Sequence, residues 1–169
     1  MKSVLKSLLV ILVTLSVAIS CIKDEVAEFE LRPGDSLPDF SVTMNDGSVV
    51  TGASLRKDVS LIMFFHTSCP DCQQTLPSVE LIYGKYREKG VSFALVSRAQ
   101  GDDEIAPYWE QQKYTVPYSA QEDRSVYNLF ATSRVPRVYI SKNGIIHSVF
   151  TDDPVPSYED LLGAIDACL

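Results

Sequence analysis

The chain has 169 residues, 46% of them hydrophobic, and carries a formal net charge of −7 at pH 7. This length and composition are sufficient for one domain with a buried core. The acidic balance lacks the basic footprint that nucleic-acid binding requires, so no nucleic-acid partner is expected.

The N-terminal segment has the pattern of an export signal. Lys2 and Lys6 precede a mostly apolar run over 7–19. This run is shorter than the about 20 apolar residues that a transmembrane helix needs. The small residues before Cys21 resemble a bacterial lipobox, in which the chain is cut before the cysteine and the cysteine takes the lipid. The alternative is an uncleaved N-terminal anchor helix. Either interpretation places the folded part outside the cytoplasm, attached to a membrane.

We therefore expect a lipoprotein signal peptide over 1–20, a charged tether over 21–32 and a folded domain over 33–169. Cleavage before Cys21 would leave 149 residues and change the net charge from −7 to −9, because it removes two lysines and no acidic residue. Residues 23–25 resemble the Lys-acidic-acidic signal that sends some outer-membrane lipoproteins to the cell surface. The expected location is the cell envelope, on the periplasmic side or at the surface.

The first half of the domain predicts a hairpin and a central strand. Residues 39–50 place Asp46-Gly47 in a turn between two short strand-like runs, which indicates a β-hairpin. The run from Leu61 to Phe65 is apolar at every position, as expected for a central strand covered on both faces.

The motif Cys69-Pro70-Asp71-Cys72 follows this strand directly. Two thiols separated by two residues can close a disulfide and reopen it. If a helix starts at the motif, its N-terminus favours a thiolate, and a thiolate is the species that attacks disulfides. A structural zinc site would need two further ligands. The other cysteines and histidines form no second ligand pair, so no metal is predicted; they are Cys21, Cys168, His66 and His147.

The remaining pattern alternates helices and strands. Two strands joined by a helix form a right-handed parallel unit, and Asn143-Gly144 is a strong antiparallel hairpin signal. The predicted class is therefore an α/β layered sheet. The predicted elements are a helix from Cys72 to about Gly90, a strand over 91–96, a helix over 102–112, a short strand over 114–119, a helix over 123–131 capped by Asp123, a hairpin over 137–150 and a final helix over 157–169.

Together these features resemble a thioredoxin-fold protein, specifically a membrane-tethered, TlpA-like or redoxin-like thiol-disulfide oxidoreductase. Residues 64–72 stand where the family has its strand and active site, and residues 32–40 resemble the start of its N-terminal hairpin. Pro77 matches the proline that bends the active-site helix, and Val135-Pro136 matches the X–cis-Pro pair. The resemblance covers about residues 33–169. It implies a central mixed β-sheet flanked by helices, with an N-terminal β-hairpin extension.

The resemblance also implies roles for individual residues. Cys69 attacks a substrate, and Cys72, lying deeper, resolves the mixed disulfide. Substrates are protein disulfides or dithiols, and an extended substrate pairs with the backbone of Val135 beside Pro136. No cofactor is expected.

The sequence departs from the family pattern around the dithiol. Thioredoxin has a buried Asp six residues before its first cysteine, where this chain has Met63, and several TlpA-like proteins have a Glu where this chain has Thr75. Asp71 and His66 are then the local candidates for proton transfer and redox tuning. The negative charge of Asp71 opposes the thiolate, which favours a reducing dithiol.

Other functions remain open alternatives. A peroxidase of the peroxiredoxin type needs Thr or Ser three residues before the reactive cysteine and Pro seven before it, and these positions are His66 and Ile62. A copper-binding module of related fold usually combines CxxxC with a distal histidine, a spacing that CxxC with His147 does not fit. A redox-inactive binding module would more often have lost one cysteine. Cys168, on the apolar face of the last helix, is predicted to be a small buried core residue.

Overall fold

The computed structural model describes residues 29–169. The predicted signal peptide and Cys21, the predicted lipidation site, lie outside the described residues. Between residues 29 and 169, no helix combines the length and the apolar character needed to span a bilayer.

The fold begins with the predicted hairpin, which forms a small sheet of its own. Strands β1 (Ser41–Thr43) and β2 (Val49–Thr51) pair in antiparallel orientation. A short helix, α1 (Gly52–Leu55), follows at once. Glycine is required at its first position because a β-carbon on Gly52 would lie 2.2 Å from the Pro38 carbonyl oxygen. The hairpin extension is therefore confirmed.

The main sheet has five strands. They are β3 (Val59–Phe65), β4 (Val91–Ser97), β5 (Tyr118–Ser119), β6 (Arg137–Lys142) and β7 (Ile145–Phe150). Their spatial order is β5-β4-β3-β6-β7. The first three run parallel to one another, β6 is antiparallel to β3, and β7 is antiparallel to β6. The predicted mixed sheet is confirmed.

The middle strand, β3, connects the two layers of the core. All seven of its residues are buried. Successive side chains of a strand point to opposite faces, so Phe64 and Phe65 reach different layers. The Phe65 ring packs 5.0 Å from that of Trp109, and the Phe64 ring packs 4.8 Å from that of Phe130. The continuous apolar run that predicted this strand therefore fills both layers.

Three longer helices accompany the sheet: α2 (Pro70–Tyr86), α3 (Asp102–Gln112) and α4 (Tyr158–Asp166). Helix α2 connects β3 to β4 and packs against α4. All three were predicted. Helix α2 begins at Pro70, two residues before the predicted start at Cys72, because proline is favoured at the first position of a helix.

The helix predicted over 123–131 is wrong. Only Tyr127–Leu129 form a 3-10 turn in this segment. The Asp123 carboxylate accepts a hydrogen bond from the Ser125 N–H at 2.7 Å, which closes a local turn instead of capping a longer helix. The residues after the 3-10 turn pair in extended form with the N-terminal segment, so a helix cannot continue through them.

The strand predicted over 114–119 is also shorter in the structure, where β5 holds two residues. The cause is Glu80 of α2. Its carboxylate accepts hydrogen bonds from the N–H groups of Thr115 at 3.0 Å and Val116 at 2.9 Å. Because Pro117 has no N–H, the chain becomes available for pairing in the sheet only from Tyr118 onward.

The N-terminal end of the described chain is fixed close to the start of β6. The Leu31 N–H donates to the Phe130 carbonyl at 2.8 Å, and the Phe29 N–H donates to the Thr132 hydroxyl at 3.0 Å. Residues 29–31, which the sequence analysis assigned to the tether, thus run alongside residues 130–132.

A buried arginine holds the same region together. The side chain of Arg137, at the start of β6, is only 4% exposed. Its guanidinium lies 2.8 Å from the Glu30 carboxylate and 3.6 Å from that of Asp152, which also lies 3.4 Å from Arg134. The two carboxylates offset the cost of burying the Arg137 charge. We call Glu30, Arg137 and Asp152 the buried ion cluster.

Candidate active site

The dithiol lies at the end of β3, where the chain turns into α2. Cys69 is the N-cap of α2, and its carbonyl accepts the Gln73 N–H at 3.0 Å. Its side chain is partly exposed. The free N–H groups of the first helical turn and the positive end of the helix dipole therefore lie next to this sulfur. The structure thus places the first cysteine of the motif at a helix N-terminus.

The second cysteine has a different environment. Cys72 lies in the first turn of α2 and is fully buried. Burial raises the pKa of the Cys72 thiol, and this effect exceeds the opposing contributions of a hydrogen bond from the His66 backbone and of the Arg98 charge. Cys72 therefore remains a protonated thiol at neutral pH, while Cys69 is open to reagents.

The loop that contains Val135 and Pro136 was predicted to bind substrate, and we call it the proline loop. It faces Cys69. The Val135–Pro136 peptide bond is cis, as expected from the sequence. The Cys69 thiol donates a hydrogen bond to the Val135 carbonyl at 3.3 Å. The structure therefore brings the first cysteine and the proline loop into direct contact, although they are 66 residues apart in the chain.

The two residues predicted to tune the dithiol lie on either side of Cys69 in the chain. His66 Nδ1 accepts the Ser68 N–H at 3.3 Å and lies 2.9 Å from the Ser68 hydroxyl, so its ring is held against the active-site loop. Asp71 lies in the first turn of α2 and is partly buried. A carboxylate there stabilises the helix and opposes a neighbouring thiolate.

A glutamine that the sequence analysis did not single out holds the loop before Cys69. Gln100 is 3% exposed. Its Oε1 accepts the Thr67 N–H at 2.9 Å, and its Nε2 donates to the Thr67 hydroxyl at 2.6 Å. On the other side, Gln73 Nε2 donates to the Thr67 carbonyl at 2.7 Å. The backbone two residues before the first thiol is thus held by side chains from two directions.

An open groove of about 390 Å³ lies beside the first thiol. Its lining residues are His66, Ser68, Cys69, Arg98, Arg134 and Val135. The sequence analysis missed both arginines. Arg98 directly follows β4, and its N–H donates to the Phe65 carbonyl at 2.8 Å. The carboxyl ends of neighbouring parallel strands meet at one edge of a sheet, and this rule could have identified Arg98.

The other residues considered as ligands or thiols lie apart from the dithiol. Cys168 is 1% exposed, which confirms that it is buried. It lies beside Val59 and Asn143, at the end of β3 opposite to Cys69. His147 is exposed on β7. Within residues 29–169, no group of three or more His, Cys, Asp or Glu side chains is arranged to hold a metal ion.

A dithiol at the junction of a central strand and a helix, facing a cis-proline loop on a mixed sheet, defines a thioredoxin-fold protein. The chain belongs to the AhpC/TSA family, whose model matches residues 33–150. It is similar to a thiol-disulfide oxidoreductase, ResA, of Oceanobacillus iheyensis, with 28% identity over 150 residues, 85% of this chain and 77% of the relative.

Two solved structures share the fold. A thiol:disulfide interchange protein of the thioredoxin family from Chlorobium tepidum has a TM-score of 0.69 and 19% identity, and the match covers 83% of this chain and 99% of that one. A secreted disulfide oxidoreductase of Mycobacterium tuberculosis has a TM-score of 0.68 and 16% identity, over 76% of this chain and 96% of that one. Together, the family and these relatives identify the chain as a thiol-disulfide oxidoreductase.

Proposed function

We propose that this protein reduces disulfides of protein substrates outside the cytoplasm, using Cys69 as the attacking thiol and Cys72 as the resolving thiol. One observation carries the proposal. The partly exposed Cys69 caps a helix and lies 3.3 Å from the Val135 carbonyl of the proline loop, while Cys72 is buried. A substrate disulfide can therefore reach the Cys69 thiol before the Cys72 thiol.

The reaction proceeds in two exchanges. The Cys69 thiolate attacks one sulfur of the substrate disulfide, forms a mixed disulfide and releases the other substrate sulfur as a thiolate. Cys72 then loses its proton and attacks the Cys69 sulfur, forming the Cys69–Cys72 disulfide and releasing the second substrate thiol. Two electrons and two protons pass from the dithiol to the substrate. The raised pKa of the Cys72 thiol means that the second exchange becomes faster as the pH rises.

The proline loop orients the substrate in this scheme. An extended substrate segment adds to the backbone at Val135, where main-chain groups recognise it independently of its side chains. The contact between Cys69 and Val135 supports this role, because a segment paired with Val135 would lie next to the attacking sulfur. This arrangement suits polypeptide disulfides.

The charge of Asp71 supports the reducing direction. The dipole of α2 and the guanidinium groups of Arg98 and Arg134 in the groove favour the thiolate, but Asp71 lies in the first turn of the same helix and opposes it. A thiolate that is only moderately stabilised leaves the dithiol a good electron donor. We expect a potential nearer the thioredoxin value of about −270 mV than the DsbA value of about −120 mV.

Equilibration with glutathione buffers tests this proposal. Asp71→His should raise the potential by about 30 mV, equivalent to about 1.4 kcal/mol, because a partly protonated imidazole favours the thiolate. Glu159→His, in the first turn of α4, is the matched control and should leave the potential unchanged. A wild-type value near that of DsbA, or a lower potential in Asp71→His, would contradict the direction. Faster turnover of peroxide than of a peptide disulfide would instead support the peroxidase alternative.

We further propose that the mature protein is a lipoprotein anchored through Cys21, consistent with the lipobox-like pattern that precedes this cysteine. Cys21→Ser should abolish incorporation of a labelled fatty acid and leave the precursor uncleaved. Cys168→Ser is the control, because this buried cysteine lies outside the N-terminal signal and should not affect processing. Normal maturation of Cys21→Ser would refute the lipid anchor.

A further inference from the structure

The groove beside Cys69 carries an unusual charge for this protein. The chain as a whole is acidic, with a net charge of −7. The groove nevertheless contains two arginines, Arg98 and Arg134, and among the described residues no carboxylate lines it. Local positive charge in a cleft raises the concentration of anionic partners there, even when the net charge of the protein is negative.

Arg98 is held in place by its surroundings. Its backbone is fixed to the end of β3 through the Phe65 carbonyl, and its guanidinium lies 5.6 Å from the centre of the Tyr127 ring. The Tyr127 hydroxyl in turn donates to the Arg134 carbonyl at 2.6 Å. Within residues 29–169, the buried Nε of Arg98 has no hydrogen-bond partner. Because this Nε is buried, it is the exposed part of the partly buried Arg98 side chain that borders the groove next to the dithiol.

Arg134 borders the groove from the other side. It directly precedes Val135, and its backbone adopts a left-handed conformation with φ of 42°. Its side chain is 57% exposed and has one acidic neighbour, Asp152, at 3.4 Å. The same Asp152 side chain lies 3.6 Å from Arg137 in the buried ion cluster. The Asp152 charge is therefore shared, and with respect to residues 29–169 the Arg134 guanidinium keeps donors free for a ligand.

We propose that Arg98 and Arg134 determine specificity and select protein disulfides that have a carboxylate side chain, Asp or Glu, next to the cysteine under attack. The inference rests on the proposed function, because it assigns the substrate class of the same site. A segment paired with Val135 would have its cysteine at Cys69 and its neighbouring side chains between the two arginines. Guanidinium groups suit this task because their planar donors match the two oxygens of a carboxylate.

The test uses two synthetic peptides, each with one disulfide, that differ only in Glu or Gln beside one cysteine. At low ionic strength, the reduced wild-type protein should reduce the Glu peptide about fivefold faster than the Gln peptide, the size expected for exposed ion pairs worth about 1 kcal/mol. This ratio should fall towards one at about 1 M salt, where charges are screened within about 3 Å. In Arg98→Gln/Arg134→Gln the ratio of the two reduction rates should be close to one at any salt concentration.

Two further double variants show whether the preference arises from direct contact between these arginines and the substrate. Lys85→Gln/Arg87→Gln removes the same charge at the far end of α2, about 25 Å from Cys69 for a helix of this length, and should keep the wild-type preference. Arg98→Glu/Arg134→Glu should prefer a peptide with Lys at the variable position. If the arginines acted only through the thiols, both peptides would slow equally in the Gln variant, and the inference would be wrong.

Neutral 2-hydroxyethyl disulfide serves as the second probe. The wild type and Lys85→Gln/Arg87→Gln should reduce it at similar rates. If the wild type reduces this probe but shows equal rates with the two peptides, the specificity inference fails and the proposed function stands. If the wild type reduces neither the probe nor the peptides, the proposed function itself fails.

Discussion

Serine at position 72 is expected to turn the protein into a trap for its substrates. Cys72→Ser keeps the exposed Cys69 but lacks the buried thiol that resolves the mixed disulfide. A peptide disulfide added to this variant should stay attached through Cys69, which intact-mass measurement and peptide mapping would show. Cys69→Ser should instead slow the exchange by about a thousandfold or more, since the remaining thiol is buried and protonated.

Two controls sharpen this result. Cys168→Ser should behave like the wild type, because Cys168 lies at the opposite end of β3. Brief alkylation of the reduced wild type should label Cys69 before Cys72, since burial and a raised pKa protect the second thiol. Substrate trapped on Cys72 in Cys69→Ser, or preferential labelling of Cys72, would reverse the assignment of roles.

The largest effect on stability is expected from the buried ion cluster. Glu30→Ala/Asp152→Ala would leave the guanidinium of Arg137, 4% exposed, without either of its carboxylates. We expect this change to lower the free energy of unfolding by about 3–5 kcal/mol, the usual cost of an unpaired buried charge. Urea titration followed by circular dichroism would measure it.

A third substitution shows whether the charge itself is the cause. Arg137→Met, added to the double variant, should restore much of the lost stability, because an apolar side chain needs no partner. Asp39→Ala/Glu88→Ala removes two exposed carboxylates that pair with Arg56 and Arg87 and should cost less than about 1 kcal/mol per pair. Equal losses in the two double variants, or no recovery with Arg137→Met, would argue against a buried charge as the origin.

The strands and main helices could be predicted because their signals are local. Five consecutive residues of β3, Leu61 to Phe65, are apolar, and the Asn143-Gly144 turn adopts the positive φ angles that its residues favour. The error in the length of β5 arose because a distant residue decides the local structure. Glu80 of α2 occupies the N–H groups that a longer β5 would need, and no pattern within residues 114–119 contains that information.

The residues of the candidate site also fall into two groups, those that a sequence motif identifies and those that it does not. Cys69, Cys72 and the pair Val135-Pro136 stand out because their spacing and order match a known chemistry. The residues that surround them do not form a motif. Arg98 and Gln100 reach the dithiol only because β4 lies beside β3 in the sheet, so their importance depends on strand order and register. The dithiol chemistry could therefore be predicted from the motif alone, whereas predicting the charge of the groove also requires the order of the strands in the sheet.

If Cys21 carries the lipid, as proposed, the pairing of residues 29–31 with residues 130–132 limits how far the dithiol can move from the membrane. Eight Cα–Cα steps join Cys21 to Phe29, and a chain of that length spans at most about 28 Å when fully extended. Phe29 is itself held to Thr132, three residues before Val135. The groove would then stay close to the lipid surface, so disulfides on membrane-associated proteins would be encountered far more often than those diffusing freely.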